Sequence, residues 1–170
     1  MARLLIIVLF IFQLGCKKNE NYPTYTSSFS FMANNTSYVW TFNFDVPSQN
    51  GYGIITKYPG TGGMAGGYMV EGFNQSQNVS INCFIETNLL ATGTYKSITT
   101  ASTGIIQSGY GINGVNYAPI NLGDSVVVNI TSISNNTARG TFNAIMHDVS
   151  TRSVKVEINN GFFDNLIISN

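Results

Sequence analysis

The chain has 170 residues, a length suited to one domain, and carries eight Lys+Arg against eight Asp+Glu, with only 9% of its residues charged. That balance argues against nucleic acid as a partner, because displacing counterions from phosphates needs a basic stripe. Hydrophobic and aromatic contents of 44% and 12% argue against disorder, and the polarity rests on 21 Asn, 16 Ser and 16 Thr rather than on ions.

The first sixteen residues read as an address. Arg3 is a positive start, Leu4 to Phe12 (LLIIVLFIF) is an unbroken apolar run, and Gln13-Leu14-Gly15-Cys16 closes it, the layout of a secretory signal. The 11 residues from Leu4 to Leu14 are short of the roughly 20 that cross a bilayer core. Gly15-Cys16 resembles a bacterial lipobox, in which the cysteine is diacylated and becomes the mature N-terminus. The resemblance implies removal of residues 1–15, lipid attachment at Cys16 and a tether over 16–27, leaving 28–170 as a single β domain. Lys17-Lys18-Asn19-Glu20 resembles the start of many Bacteroidota lipoproteins, which implies the bacterial outer membrane, with its periplasmic and surface faces both open. Two acyl chains hold a domain stably where one does so only marginally. Without Arg3 the remaining 155 residues carry seven positive and eight negative side chains, a net charge of −1. Cys83 is then the lone remaining cysteine; it shares the apolar parity of Val79, Ile81 and Ile85 and reads as a buried thiol.

From Ser28 onward the dominant period is two, as half-buried strands require. Phe29 and Phe31, a turn at Ala33-Asn34-Asn35-Thr36, and Tyr38, Trp40, Phe42 and Phe44 predict a hairpin with these aromatics in the core. Pro47 to Gly53 breaks the chain, Ile54 to Tyr58 is a short strand, and Pro59 to Gly67 is a loop without the Lys-Ser/Thr of a phosphate loop. Strands follow over Tyr68 to Phe73, Val79 to Glu86 and Thr94 to Ile98. Between 99 and 123 the clearest signal is Asn113-Gly114, a two-residue hairpin turn. Ser125 to Ile133, Ala138 to His147 and Ser153 to Asn159 are β-rich, and a final strand, Phe162 to Ile168, starts after a turn at Asn159-Asn160-Gly161. Nothing has a sustained helical period with caps. The fold predicted is all-β: an antiparallel meander of about 8–10 strands closing as a β-sandwich, with an up-and-down barrel as the alternative.

The fragments Phe29-x-Phe31-x-Ala33-x-Asn35, Gly93-Thr94-Tyr95, Arg139-Gly140-Thr141-Phe142 and Asn160-Gly161-Phe162-Phe163 resemble those of small Bacteroidota outer-membrane lipoproteins of an uncharacterised all-β family. The resemblance implies fold and location and adds no chemistry. Asp124-Ser125-Val126 resembles the three-residue O-glycosylation motif of exported Bacteroidota proteins, making Ser125 a candidate attachment site.

One histidine and one cysteine beyond Cys16 cannot form a His/Cys zinc site. His147 and Asp148, as strand neighbours, point to opposite faces and do not make a catalytic pair; His147 reads as a surface residue beside a turn. No cofactor or metal is expected, and the seven carboxylates after residue 40 are dispersed. What remains is aromatic: Tyr52, Tyr58, Tyr68 and Tyr110 lie near glycine-rich loops and are the candidate ligand contacts. The expectation is a non-enzymatic, lipid-anchored envelope protein, monomeric, whose β domain binds glycans or a partner protein. The alternative is a barrel-type carrier of a small apolar ligand, and a glycoside-active enzyme ranks below both.

Overall fold

The computed structural model describes residues 26–43, 51–60, 66–100 and 108–169. They form eleven strands: β1 (Thr26–Ala33), β2 (Thr36–Asn43), β3 (Gly51–Tyr58), β4 (Gly67–Asn74), β5 (Val79–Ile85), β6 (Gly93–Ile98), β7 (Gly109–Ile112), β8 (Val115–Ala118), β9 (Ser125–Ser134), β10 (Thr137–Asp148) and β11 (Lys155–Ser169). No helix occurs among the described residues, so the protein is all-β. The residues read as signal and anchor, including Cys16, lie outside the described residues, as do Phe44 and most of the 59–67 loop. β1 opens at Thr26, so the last two residues expected in the tether belong to the sheet, and Ser27 is buried, its hydroxyl donating to the Asn165 carbonyl at 2.7 Å.

The strands form one hydrogen-bonded sheet in the order β2-β1-β11-β3-β4-β5-β7-β8-β10-β9-β6, with β11 also paired to β10. The β11–β10 contact closes a ring of seven strands, from which β1–β2 and β9–β6 extend as two arms. Side chains fill the middle. Phe29 and Phe31 of β1 meet Trp40 of β2 and Phe142 of β10, with ring centroids 5.1 to 6.1 Å apart across the strands. The space above Gly72 of β4 is taken by the Phe29 ring, and the Tyr110 hydroxyl of β7 meets that of Tyr38 at 3.4 Å. β1 and β2 therefore lie face to face with β4 and β7 across a filled core, and the fold combines the facing layers of a sandwich with the ring closure of the barrel alternative. Trp40, Phe42 and Cys83 are buried in this core.

Three local readings differ from the sequence expectation. β3 begins at Gly51, where the expected break still ran; Gly51 and Gly53 leave room for the Phe42 ring above them, so pairing with β4 continues through them. The two strands expected at 153–159 and 162–168 are one, because Asn159-Asn160-Gly161 makes a bulge and not a turn. Asn160 takes the left-handed conformation (φ 53°), and the register slips by one residue against both β1 and β10 while pairing resumes on either side. Finally, the sheet is not purely antiparallel: Ile167–Ser169 of β11 runs parallel to Ile54–Thr56 of β3. The Asn113-Gly114 turn forms as predicted between β7 and β8, both residues at positive φ (48° and 82°).

The four motif fragments have structural work. In the β10–β11 ladder Gly140 lies opposite Phe163, and Phe142 opposite Gly161. A Cβ on Gly140 would come within 2.5 Å of the Phe163 ring, and one on Gly161 within 2.6 Å of the Phe142 ring. Each glycine makes room for the aromatic of the other strand, a reciprocal cross-strand exchange. Tyr95, after Gly93-Thr94, turns its hydroxyl back to Ala91, donating to its carbonyl at 2.9 Å and accepting from its N–H at 3.0 Å.

Candidate binding face

Strand parity separates the four candidate tyrosines. On β3 the inward residues are Gly53 and Ile55, so Tyr52, Ile54, Thr56 and Tyr58 face outward. On β4 the inward set is Tyr68, Val70 and Gly72, and the outward set Met69, Glu71 and Phe73. Tyr52 and Tyr58 are accordingly 45% and 43% exposed, on a strand rather than on loops. Tyr68 and Tyr110 are 5% and 4% exposed, which corrects their candidacy as ligand contacts: they are core residues, their rings spent on packing. The parity signal was present in the sequence, since Tyr68 has the opposite parity to the acid Glu71 within one strand.

Glu71 was not singled out by sequence reasoning, because its role depends on register. It lies opposite Ile54 on β3, between the two exposed tyrosines, two residues from Tyr52 and four from Tyr58. Tyr58 donates its hydroxyl to Glu71 Oε1 at 3.1 Å. Tyr52 approaches from the other end, its ring 5.8 Å from that of Phe73 and tilted by 43°. Burial raises the pKa of both phenols, and the Glu71 charge and hydrogen bonding raise them further. Both hydroxyls therefore stay protonated donors at neutral pH, converging on one carboxylate. The result is a strip about 20 Å long, at roughly 3.4 Å per strand residue, with a tyrosine at each end and an acceptor between them. On β5 the row continues with Asn82, opposite Glu71, and Phe84, opposite Met69. Asn82 Oδ1 is buried without a hydrogen-bond partner.

His147 does not stand alone. Its Nδ1 lies 2.9 and 3.0 Å from the two carboxylate oxygens of Asp124, which is 2% exposed and also accepts the Asn121 N–H at 2.9 Å. Asp148, its neighbour in the chain, does not partner it and instead caps its own turn, accepting from the N–H groups of Ser150 and Thr151. The true partner is 23 residues away and arrives through the β9–β10 pairing. Asp124 orients the imidazole, as in an acid–base dyad, but among the described residues the ring bonds to Asp124 and to no hydroxyl nucleophile. Its evident task is to pin the 119–124 segment to the end of β10. Ser125 follows immediately, half-buried at the start of β9 between Ile98 and Ile145.

Among the described residues no cluster of three or more His, Cys, Asp or Glu side chains is placed to hold a metal ion. The fold and this outward strip define an all-β domain with an aromatic–carboxylate face. Compared with known protein families, curated proteins and solved structures, the chain matches none.

Proposed function

We propose that this protein is a lipid-anchored envelope protein whose β domain binds glycans on the Tyr52–Glu71–Tyr58 strip. The observation that carries the reading is the convergence of two exposed phenols on one half-buried carboxylate on the outward sheet face. Sugar rings present a C–H face that packs on aromatic rings and a hydroxyl rim that donates to carboxylates, and the strip offers both. A carrier of an enclosed apolar ligand is less well supported, since Phe29, Phe31, Trp40, Phe142 and Phe163 occupy the middle of the fold. The resemblance of Gly15-Cys16 to a bacterial lipobox supports the anchored placement.

Titration of the chain with neutral hexasaccharides, followed by calorimetry or by tyrosine fluorescence, tests the binding reading. Tyr52→Ala with Tyr58→Ala is expected to weaken binding about tenfold or more, since each lost ring contact is worth about 0.5–1.5 kcal/mol beyond its buried area. Unchanged affinity in the double variant would remove the strip from consideration.

A further inference from the structure

The charges on this face are all of one sign. The outward row of β5 ends at Phe84, and Glu86 follows with the same parity, one residue beyond the Ile85–Tyr68 pair. Glu71 and Glu86 are thus the charged residues of the β3–β5 outward face. The described cations sit elsewhere: Arg139 beside Asp164, Lys155 on Glu157, and Lys57 on the opposite side of β3, over the Tyr68 ring at 5.9 Å. Lys96 belongs to β6 and Arg152 to the turn after β10. The inter-strand segments 44–50, 61–65 and 101–107 contain no Lys or Arg in their sequence.

Glu71 therefore has hydrogen-bond donors but no described cation beside it. A carboxylate has about four acceptor positions, and the two phenols use at most two. An ammonium group arriving over the strip would meet the free carboxylate positions and the electron-rich faces of Tyr52 and Tyr58 together. A uronic acid or sulfate would set like charges against each other. Resting on the glycan reading above, we propose that the strip selects glycans bearing free amino groups, such as deacetylated amino-sugar chains, and rejects acidic glycans.

The test compares three hexasaccharides of equal length on the full chain in mildly acidic, low-salt buffer: glucosamine, N-acetylglucosamine and galacturonate. The glucosamine hexamer is expected to bind about tenfold more tightly than the N-acetylated one, and the galacturonate hexamer at least about tenfold more weakly than it. In Glu71→Gln, which keeps the shape and an acceptor oxygen, the ratio of the two affinities, glucosamine over N-acetylglucosamine, should fall at least about threefold, whatever the shift in the N-acetylated hexamer's own affinity. Added salt should shrink the preference in the native chain. Equal affinity for all three, or a preference untouched by Glu71→Gln, overturns the charge selectivity and leaves the glycan reading standing. Binding of none overturns both.

Discussion

Two side chains illustrate how much a single residue contributes here. Asp124 is buried with its carboxylate shared between the His147 imidazole and the Asn121 N–H. Asp124→Ala strips a partner from two groups at once, and His147→Ala leaves a buried carboxylate short of its strongest donor. Each is expected to cost about 2–4 kcal/mol, read as a lower urea midpoint at unchanged slope. A loss under about 0.5 kcal/mol, the ordinary effect of a surface substitution, would mean that the pair does not hold the 119–124 segment. Cys83 gives a pH signature. Burial pushes its thiol up to about 12, whereas the unfolded chain's thiol ionises near about 8.5. Above that pH the unfolded state sheds a proton that the folded state keeps, so stability is whole below the window and falls as pH rises towards 12. The slope approaches about 1.4 kcal/mol per pH unit. Cys83→Ala should flatten the fall between about pH 9 and 10, before the tyrosines, whose unfolded pKa is about 10, add theirs. Denaturation curves across that range check it, and an unaltered slope would refute it.

At the scale of the element, β11 carries the main lesson. Asn160-Gly161 is the same dipeptide as the Asn113-Gly114 turn, and both place Asn at positive φ (53° and 48°). One reverses the chain and the other only kinks it. What decides is the neighbourhood: β1 and β10 pair with β11 on both sides of Asn160 and hold it straight. Composition reports that a residue can be left-handed; only tertiary pairing decides whether a turn or a bulge results. The same limit applies to the binding strip. The outward parity of Tyr52 and Tyr58 was legible, but the placement of Glu71 between them needed the β3–β4 register, which alternation alone leaves undetermined. Gly161→Ala should cost about 3 kcal/mol or more, because its Cβ would strike both the Phe142 carbonyl and ring. Asn160→Gly, one residue away, should change stability by less than about 1 kcal/mol, since glycine accepts the same φ. Thermal melts of the two variants separate close packing from backbone conformation as the reason for this Asn-Gly pair.

Over the whole molecule, alternation and β-rich runs were enough to establish an all-β fold: Val79 to Ile85 buries every second residue as read, and Ala138 to Met146, read as β-rich, does the same. The path of the sheet was not legible. The first and last strands meet side by side, and β8 reaches β10 past the intervening β9, through pairs such as Ala118–His147 that no local pattern encodes. The anchoring proposal also belongs to this scale. From Cys16 to Thr26 is ten residues, a reach of at most about 36 Å, so an acylated Cys16 would keep the binding face within a few nanometres of its membrane. Cys16→Ser is expected to move the protein from the membrane fraction to the soluble one with its circular dichroism unchanged. A variant that stays acylated and sedimenting would refute the lipobox reading.

The place of β11 bears on time as well as shape. It is the last of the described strands in chain order, and it hydrogen-bonds to β1, β10 and β3, so the ring of strands stays open until its fifteen residues are available. Its partnership with β1 joins positions more than a hundred residues apart, as in Ser28–Asp164. Such separations make for slow, late-committing folding. A chain proposed to cross a membrane before it folds gains from that delay: while β11 is still being made, the nascent domain has no finished structure to obstruct its passage.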